Sequence, residues 1–314
     1  MNAAASLLVS LSLCATLIPS AAQAITLAEI SQGAGPDQEV VYKKVGDQEL
    51  HLGIFLPPGT KPSDKLPILF YIHGGGWTAG DQKVFYPHCR YAVARGAIGV
   101  SIDYRLMKPG GTTAIESYSD CKSALRWVRK HAAEFGGNPD QIVALGDSSG
   151  GHLAGCLGTI QGFDDPADDT SISAVPQAIV LYNPIVDCTD GTWWYAVNGP
   201  IPKHAPASQP SQQLLEKAKT LSPLFNIRPG EPPAQIQHGL ADHVVNPDQA
   251  RRFADAMKAA GNRCDLILIP DIGHAFVLIG YKKTPAAVHV KAMRDTDQFL
   301  SSLGILKGDP TLTE

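Results

Sequence analysis

Residues 143–155 read V-A-L-G-D-S-S-G-G-H-L-A-G. An apolar run enters the stretch and a helical pattern leaves it. Between them Gly146, Ser148 and Gly150 hold the spacing G-x-S-x-G. So short a string also fits an ordinary Gly/Ser turn, and its flanks decide the reading. I-V-A-L before it reads as a buried strand and H-L-A-G-C-L-G-T-I after it as a helix. A strand that turns sharply into a helix pushes the central side chain out at the top of a sheet. Ser148 is that side chain. The glycines relieve the crowding of a strained turn, and the new helix points its N–H groups and positive dipole end at the same spot. Ser149 contributes its backbone N–H there, not its hydroxyl.

The rest of the chain repeats the strand-then-helix rhythm. Apolar, β-branched runs lie at 40–45, 50–56, 68–73, 98–103, 142–146, 178–182, 234–237 and 266–269. Helical patterns lie at 115–135, 149–160, 248–260 and 286–303. The first two strands alternate polar with apolar and predict an antiparallel hairpin. The later ones are continuous apolar runs, as in a parallel sheet covered by helices on both faces. The predicted class is α/β, with a mostly parallel eight-stranded sheet. Residues 187–220 break the rhythm with Trp193, Trp194, Tyr195 and several prolines. A stretch this long usually carries a function, and it reads as a cap inserted over the sheet edge. The tail 307–314 is expected to fray.

The 314 residues are 44% hydrophobic and 18% charged, with a formal net charge of -4. That composition supports a large core and shows no basic excess for nucleic acid or an anionic membrane surface. The first 24 residues, M-N-A-A-A-S-L-L-V-S-L-S-L-C-A-T-L-I-P-S-A-A-Q-A, read as a secretory signal cut after Ala24. Their start lacks Lys or Arg, and the alternative is a membrane-associated N-terminal helix. Export predicts a secreted or periplasmic catalytic domain over 25–314 without a stable membrane anchor. Past the leader remain Cys89, Cys121, Cys156, Cys188 and Cys264. Export permits disulfides, but the number is odd and the pairing is not legible. Cys156 falls in an apolar helical run and reads as a small buried hydrophobe. The sequence does not set the oligomeric state.

A nucleophilic serine needs an oxyanion site, a base and an orienter. His73-Gly74-Gly75-Gly76-Trp77 follows a buried strand directly. Successive glycines expose backbone N–H groups, and losing one such donor typically costs roughly 2.7–4 kcal/mol of transition-state stabilisation. The expected donors are Gly75, Gly76 and Ser149. Asp242 lies just after a strand in H-G-L-A-D, and His274 lies just after the last strand in G-H-A-F. His274 is the expected base and Asp242 its orienter. His238 reads as a core or turn residue and His152 as helix packing. Asp271 sits too close to His274 along the loop, and Asp147 too close to Ser148, to serve as the acid. Trp77, Trp193, Trp194 and Tyr195 are candidate substrate contacts: Trp77, just after the oxyanion glycines, is expected to shape the acyl or alcohol pocket, and Trp193, Trp194 and Tyr195 to stack on a sugar ring or a phenolic acid or else to fill the cap interior.

The segments H-G-G-G-W at 73–77, S-I-D-Y-R-L at 101–106, G-D-S-S-G-G-H-L-A at 146–154, H-G-L-A-D-H-V-V at 238–245 and G-H-A-F at 273–276 together resemble the α/β-hydrolase esterases of the hormone-sensitive-lipase type. The closer resemblance is to the secreted acetyl esterase and feruloyl esterase-like branch. Ser148, Asp242 and His274 occur in the chain order of that fold's triad. Family members commonly carry Ala where Ser149 stands. The resemblance implies an α/β-hydrolase fold with a small cap, formed by 187–220 and the segment after Ala24. It makes Asp103, Tyr104 and Arg105 structural support near the oxyanion loop. It implies hydrolysis of short-chain, acetyl or feruloyl esters, small or carbohydrate-linked, through an acyl-enzyme, with no metal or organic cofactor. A peptidase or amidase on the same fold and a non-catalytic binding protein are the competing expectations.

Overall fold

A computed structural model describes residues 24–109, 111–199, 210–281 and 284–314. In chain order the elements are β1 (Ile25–Thr26), α1 (Leu27–Ser31), β2 (Gln38–Val45), β3 (Gln48–Phe55), β4 (Leu66–Ile72), α2 (Tyr86–Ala94), β5 (Ile98–Ile102), α3 (Ala114–His131), β6 (Gly137–Asp147), α4 (Ser149–Thr159), β7 (Ala178–Tyr182), α5 (Gln212–Thr220), β8 (Ala234–Gly239), α6 (Asp248–Ala259), β9 (Cys264–Ile269), α7 (Ala286–Ser302) and β10 (Leu312–Thr313). The eight-stranded sheet runs β2-β3-β5-β4-β6-β7-β8-β9. The β2–β3 and β3–β5 pairs are antiparallel, and every later pair is parallel. This is the α/β-hydrolase architecture expected from the sequence.

β4, β5 and β7 read as apolar runs because both of their faces are covered, whereas β8 carries the buried polar side chains Gln235, Gln237 and His238. On β4, Ile68, Phe70 and Ile72 join a core with α3, α4 and α6, whereas Leu69 and Tyr71 join a second core with α2 and α7. The strand order reverses at β4, which pairs with β5 on one side and β6 on the other. Open α/β sheets bind ligands at such a reversal, in the crevice beyond the carboxyl ends of the strands.

Helix α2 was not expected. Its sequence Y-P-H-C-R-Y-A-V-A is weakly patterned, yet His88, Cys89, Tyr91 and Ala92 are all buried. The tail expected to fray is ordered instead. β10 pairs in parallel with β1, and Leu312 is fully buried beside Ile30 and Tyr91. Arg95 donates to the carbonyls of Lys307 and Gly308 at 2.9 and 3.0 Å. The segment after Ala24 is therefore no part of a cap. It docks against α2, where Arg90 donates to the carbonyls of Ile30, Gly33 and Ala34. The expected leader, 1–24, lies outside the described residues except for Ala24. Of the expected cap at 187–220, residues 200–209 lie outside them, and the remainder holds one 3-10 turn, Trp193–Val197, and α5. Among the described residues no helix is long and apolar enough to cross a membrane.

Deleting 309–314 removes the partner of β1 and uncovers Ile30. Full burial of one such aliphatic side chain is worth about 1.5–3 kcal/mol. The urea midpoint of the truncated protein is expected to fall accordingly, and an unchanged midpoint contradicts this packing.

Candidate active site

Ser148 sits between the last residue of β6 and the first of α4, with φ 55° and ψ -119°. A non-glycine residue held there stores roughly 1–3 kcal/mol of strain. The turn persists because its surroundings leave no alternative. The Ser148 N–H donates to the Tyr182 carbonyl at 2.9 Å, and the His152 N–H donates to the Ser148 carbonyl at 2.9 Å. A Cβ on Gly150 would lie 2.1 Å from the carbonyl oxygen of Ile72 and 2.4 Å from that of His73. Only glycine lets the first turn of α4 press against the end of β4. Ser149 opens α4, so its N–H is among the helix's free N-terminal donors.

The loop after β4 supplies the opposite wall. Gly75 has φ 116°, and a Cβ there would lie 2.1 Å from the Ala79 carbonyl oxygen, which makes glycine obligatory. His73 anchors the loop from below. Its ring stacks on Tyr104 with centroids 4.3 Å apart. The Tyr104 hydroxyl donates to the His73 carbonyl at 2.8 Å, and His73 Nδ1 lies 2.8 Å from the Gly74 carbonyl oxygen. Asp103 and Arg105 hold neighbouring backbone. Asp103 accepts the Gln82 N–H at 2.9 Å, and Arg105 pairs with the Asp120 carboxylate through two nitrogens at 2.7 and 2.8 Å.

Three side chains from different strand ends then converge. Ser148 Oγ lies 2.8 Å from His274 Nε2, and His274 Nδ1 lies 2.7 Å from Asp242 Oδ2. With Nδ1 donating to the carboxylate, Nε2 is free to accept the serine proton. The other carboxylate oxygen of Asp242 accepts the N–H groups of Val244 and Val245 at 2.8 and 3.0 Å. Burial alone would raise the pKa of Asp242. Hydrogen bonds from His238 and His274, with the Val245 N–H, outweigh it and hold the carboxyl well below the usual carboxylate range. Asp242 is thus anionic where His274 needs a partner.

The other histidines and acids have separate places. His238 is buried, and its Nε2 is 3.0 Å from Asp242 Oδ2 and 3.1 Å from the Val245 carbonyl. It braces the acid at the same oxygen, Oδ2, that His274 engages. His152 is buried beneath the site, with Nε2 2.7 Å from the Leu221 carbonyl, and burial lowers it to about 4. Cys156 and Cys188 pack against its ring, and all five described cysteines are buried and unpaired. Asp271 is exposed, and His274 turns to Asp242 rather than to it.

A cavity of about 450 Å³ opens over Ser148, His274 and the loop 74–76. Trp193 and Tyr195 line it. Two of the expected substrate contacts do not. Trp77 is fully buried, because the chain reverses there with φ 59° and turns the indole into the core. It packs edge-on behind Trp193, Tyr195 and His152 at 6.0, 5.9 and 5.0 Å. Trp194 is half-buried, packs on the main core and is not part of the lining. Among the described residues no group of three His, Cys, Asp or Glu side chains is arranged to hold a metal ion.

One site residue escaped the sequence reading. Asn183 is fully buried just past β7, with φ 37°. Its Nδ2 donates to Asp147 Oδ1 at 2.9 Å, and its Oδ1 accepts the Ala275 N–H at 3.2 Å. One amide therefore ties the nucleophile turn to the residue after His274. The far oxygen of Asp147 lies against Gly74, 2.8 Å from where a Cβ would stand, so the same chain reaches the oxyanion loop.

This geometry defines a Ser-His-Asp site at the crevice of an α/β-hydrolase sheet. The BD-FAE family profile matches residues 52–257, and the chain belongs to that family. Among curated proteins it is 30% identical over 250 residues to the probable carboxylic ester hydrolase LipM of Mycobacterium tuberculosis, covering 78% of this chain and 57% of LipM. It is 29% identical over 262 residues to the carboxylesterase NlhH of the same organism, covering 77% of this chain and 76% of NlhH. It thus spans little more than half of LipM's length. Among solved structures, propionate-bound esterase 2 of Thermogutta terrifontis superposes with a TM-score of 0.75 at 35% identity, covering 87% of this chain and 96% of that one. These relatives carry the names of carboxylic ester hydrolases and esterases, and the chain is similar to them.

Asn183→Asp keeps the shape but removes the donor to Asp147 and sets two carboxylates together. It is expected to lower kcat on an activated ester about tenfold or more, since small misplacements of a catalytic pair are costly, with a smaller change in KM. Loss confined to KM contradicts a positioning role. A second expectation concerns acid stability. Burial lowers His73 and His152 from 6.5 to about 4. Their folded values lie below the unfolded one, so the unfolded chain binds more protons between them. Their contribution is fully present above pH 6.5 and is lost as pH falls toward 4. The melting temperature should drop across that window, and less steeply in His152→Gln; equal slopes would contradict the buried neutral imidazole.

Proposed function

We propose that the protein is an exported serine carboxylesterase that hydrolyses short-chain esters through an acyl-enzyme. The observation that carries this reading is the unbroken run from Asp242 through His274 to Ser148, at 2.7 and 2.8 Å. Ser148 Oγ attacks the ester carbonyl while His274 Nε2 takes its proton. The carbonyl oxygen becomes an anion facing the N–H groups of Gly75, Gly76 and Ser149. The tetrahedral centre collapses, the C–O bond to the alcohol breaks, and His274 returns the proton to the leaving oxygen. Water then attacks the acyl-enzyme by the same route and frees the acid and Ser148. Asp242 keeps His274 in the accepting tautomer and stabilises its charged form.

Cavity and relatives favour small acyl groups. Val84, Leu278 and Tyr195 give the cavity apolar walls, and the Thermogutta esterase is described with propionate and with butyrate bound. Acetyl esters on carbohydrate and feruloyl esters are the substrates we favour, because Trp193 and Tyr195 offer aromatic faces beside the nucleophile. The small-residue site at 22–24 behind an apolar stretch supports export to the periplasm or medium.

The test is hydrolysis of p-nitrophenyl esters from acetate to octanoate, with methyl ferulate and acetylated xylan. Turnover should be greatest for the shortest acyl chains and fall by about a thousandfold or more in Ser148→Ala. A folded protein inactive on every ester contradicts the reading. Trp193→Ala should raise KM for methyl ferulate much more than for p-nitrophenyl acetate. Trp194→Ala, at a half-buried ring packed on the core outside the cavity lining, should lower the melting temperature without that split; equal KM effects in Trp193→Ala would remove the aromatic contact.

A further inference from the structure

Tyr195 reaches the reaction cavity from the 3-10 turn Trp193–Val197. Ala196 and Val197 of that turn are fully buried in the main core, which anchors it. The Tyr195 N–H donates to the Thr192 carbonyl at 3.3 Å, and the Asn198 N–H donates to the Tyr195 carbonyl at 3.0 Å. Two indoles fix the ring. Trp77 meets it edge-on, with centroids 5.9 Å apart and planes at 81°, and Trp193 lies 5.9 Å away at a tilt of 43°. Trp77 is itself fully buried against His152. The inward turn of its indole therefore gives the phenol a rigid backing.

The hydroxyl on that ring has no hydrogen-bond partner among the described residues, although a phenol this far from bulk water usually finds one. What it faces is the glycine loop. A Cβ placed on Gly76 would lie 3.6 Å from Tyr195 Oη. Among the described residues, chain neighbours aside, no other heavy atom comes within 4 Å of that point. The space that any other side chain would fill at Gly76 is thus open cavity, bordered by the phenol oxygen. The N–H groups of Gly75 and Gly76 have no protein acceptor among the described residues either. Burial pushes the Tyr195 phenol up to about 12, so at neutral pH it remains an O–H donor.

We propose that Tyr195 is a further catalytic residue: its hydroxyl donates a hydrogen bond to the oxyanion formed at Ser148, alongside the amides of Gly75, Gly76 and Ser149. The inference rests on the esterase reading and adds a side-chain donor to it. As Ser148 Oγ bonds to the carbonyl carbon, the π pair moves onto the carbonyl oxygen, and His274 holds the serine proton. A hydrogen bond to an ionised acceptor is roughly twice as strong as one to a neutral acceptor. The contact therefore strengthens as charge develops and favours the transition state over the bound ester. A phenol O–H is also more acidic than a peptide N–H, and a donor on a ring held by Trp77 and Trp193 needs no reorganisation to act.

The experiment compares Tyr195→Phe with the wild-type protein. Phe keeps the ring against Trp77 and Trp193 and removes only the hydroxyl. On p-nitrophenyl acetate, kcat should fall at least about tenfold while KM changes less than about twofold. The second readout is inhibition by 1,1,1-trifluoro-2-butanone. Its carbonyl carbon bonds to Ser148 Oγ, its oxygen becomes a hemiketal anion, and His274 keeps the proton. Because that adduct carries the charge in question, its Ki should rise in Tyr195→Phe by about the factor that kcat loses. An unchanged kcat, a loss confined to KM, or a Ki that does not follow kcat overturns the donor while leaving the esterase reading intact. A wild-type protein inactive on p-nitrophenyl acetate fails at the esterase reading itself and takes the donor with it.

Discussion

The contact on which the site depends is backbone against backbone. The Cα of Gly150 lies so near the carbonyls of Ile72 and His73 that no side chain fits between them. That approach brings the first turn of α4 over the end of β4. It holds Ser148 in a backbone conformation its side chain would not choose, and it sets the N-terminus of α4 facing the glycine loop after β4. Nucleophile and oxyanion donors are thus placed by one close packing between neighbouring strands, at the point where the strand order reverses. The strain at Ser148 is offset by the packing that surrounds it.

Electrostatics builds on that frame. Asp242 has four hydrogen bonds, from two histidines and two backbone amides, and its charge is fixed before any substrate arrives. His238 and Asn183 act on the reacting pair only through others. His238 steadies the acid, and Asn183 joins Asp147 to the loop that carries His274. Donors and acceptors ordered in advance need no reorganisation when charge develops on the ester oxygen.

Much of the fold was legible in the sequence because β4, β5 and β7, like the second half of β6, are buried on both faces and read as short apolar runs set between helical patterns. Ser148, Asp242 and His274 were legible because each follows such a run, and strand ends converge at one edge of a parallel sheet. What stayed hidden depends on contacts far along the chain. α2 carries little pattern of its own and is helical because β3, β5 and α1 pack on it. β10 is ordered by β1, some 287 residues earlier, and by packing on Ile30, Tyr91 and α7. Asn183 looks like a turn residue until Asp147 and Ala275 are seen on either side of it. Trp77 stands next to the oxyanion glycines in sequence, but a positive φ turns its ring inward. Adjacency along a loop does not give the side on which a side chain emerges.

The chemistry of the site rests on Ser148 as a nucleophile armed by His274. It is tested most directly by treating the folded protein with p-nitrophenyl diethyl phosphate and following p-nitrophenolate release alongside the mass of the protein. One equivalent should be released rapidly, with one diethylphosphoryl group on the peptide bearing Ser148 and the burst slowed severely in His274→Ala. Modification of another residue, or a burst that persists unchanged without His274, would contradict it.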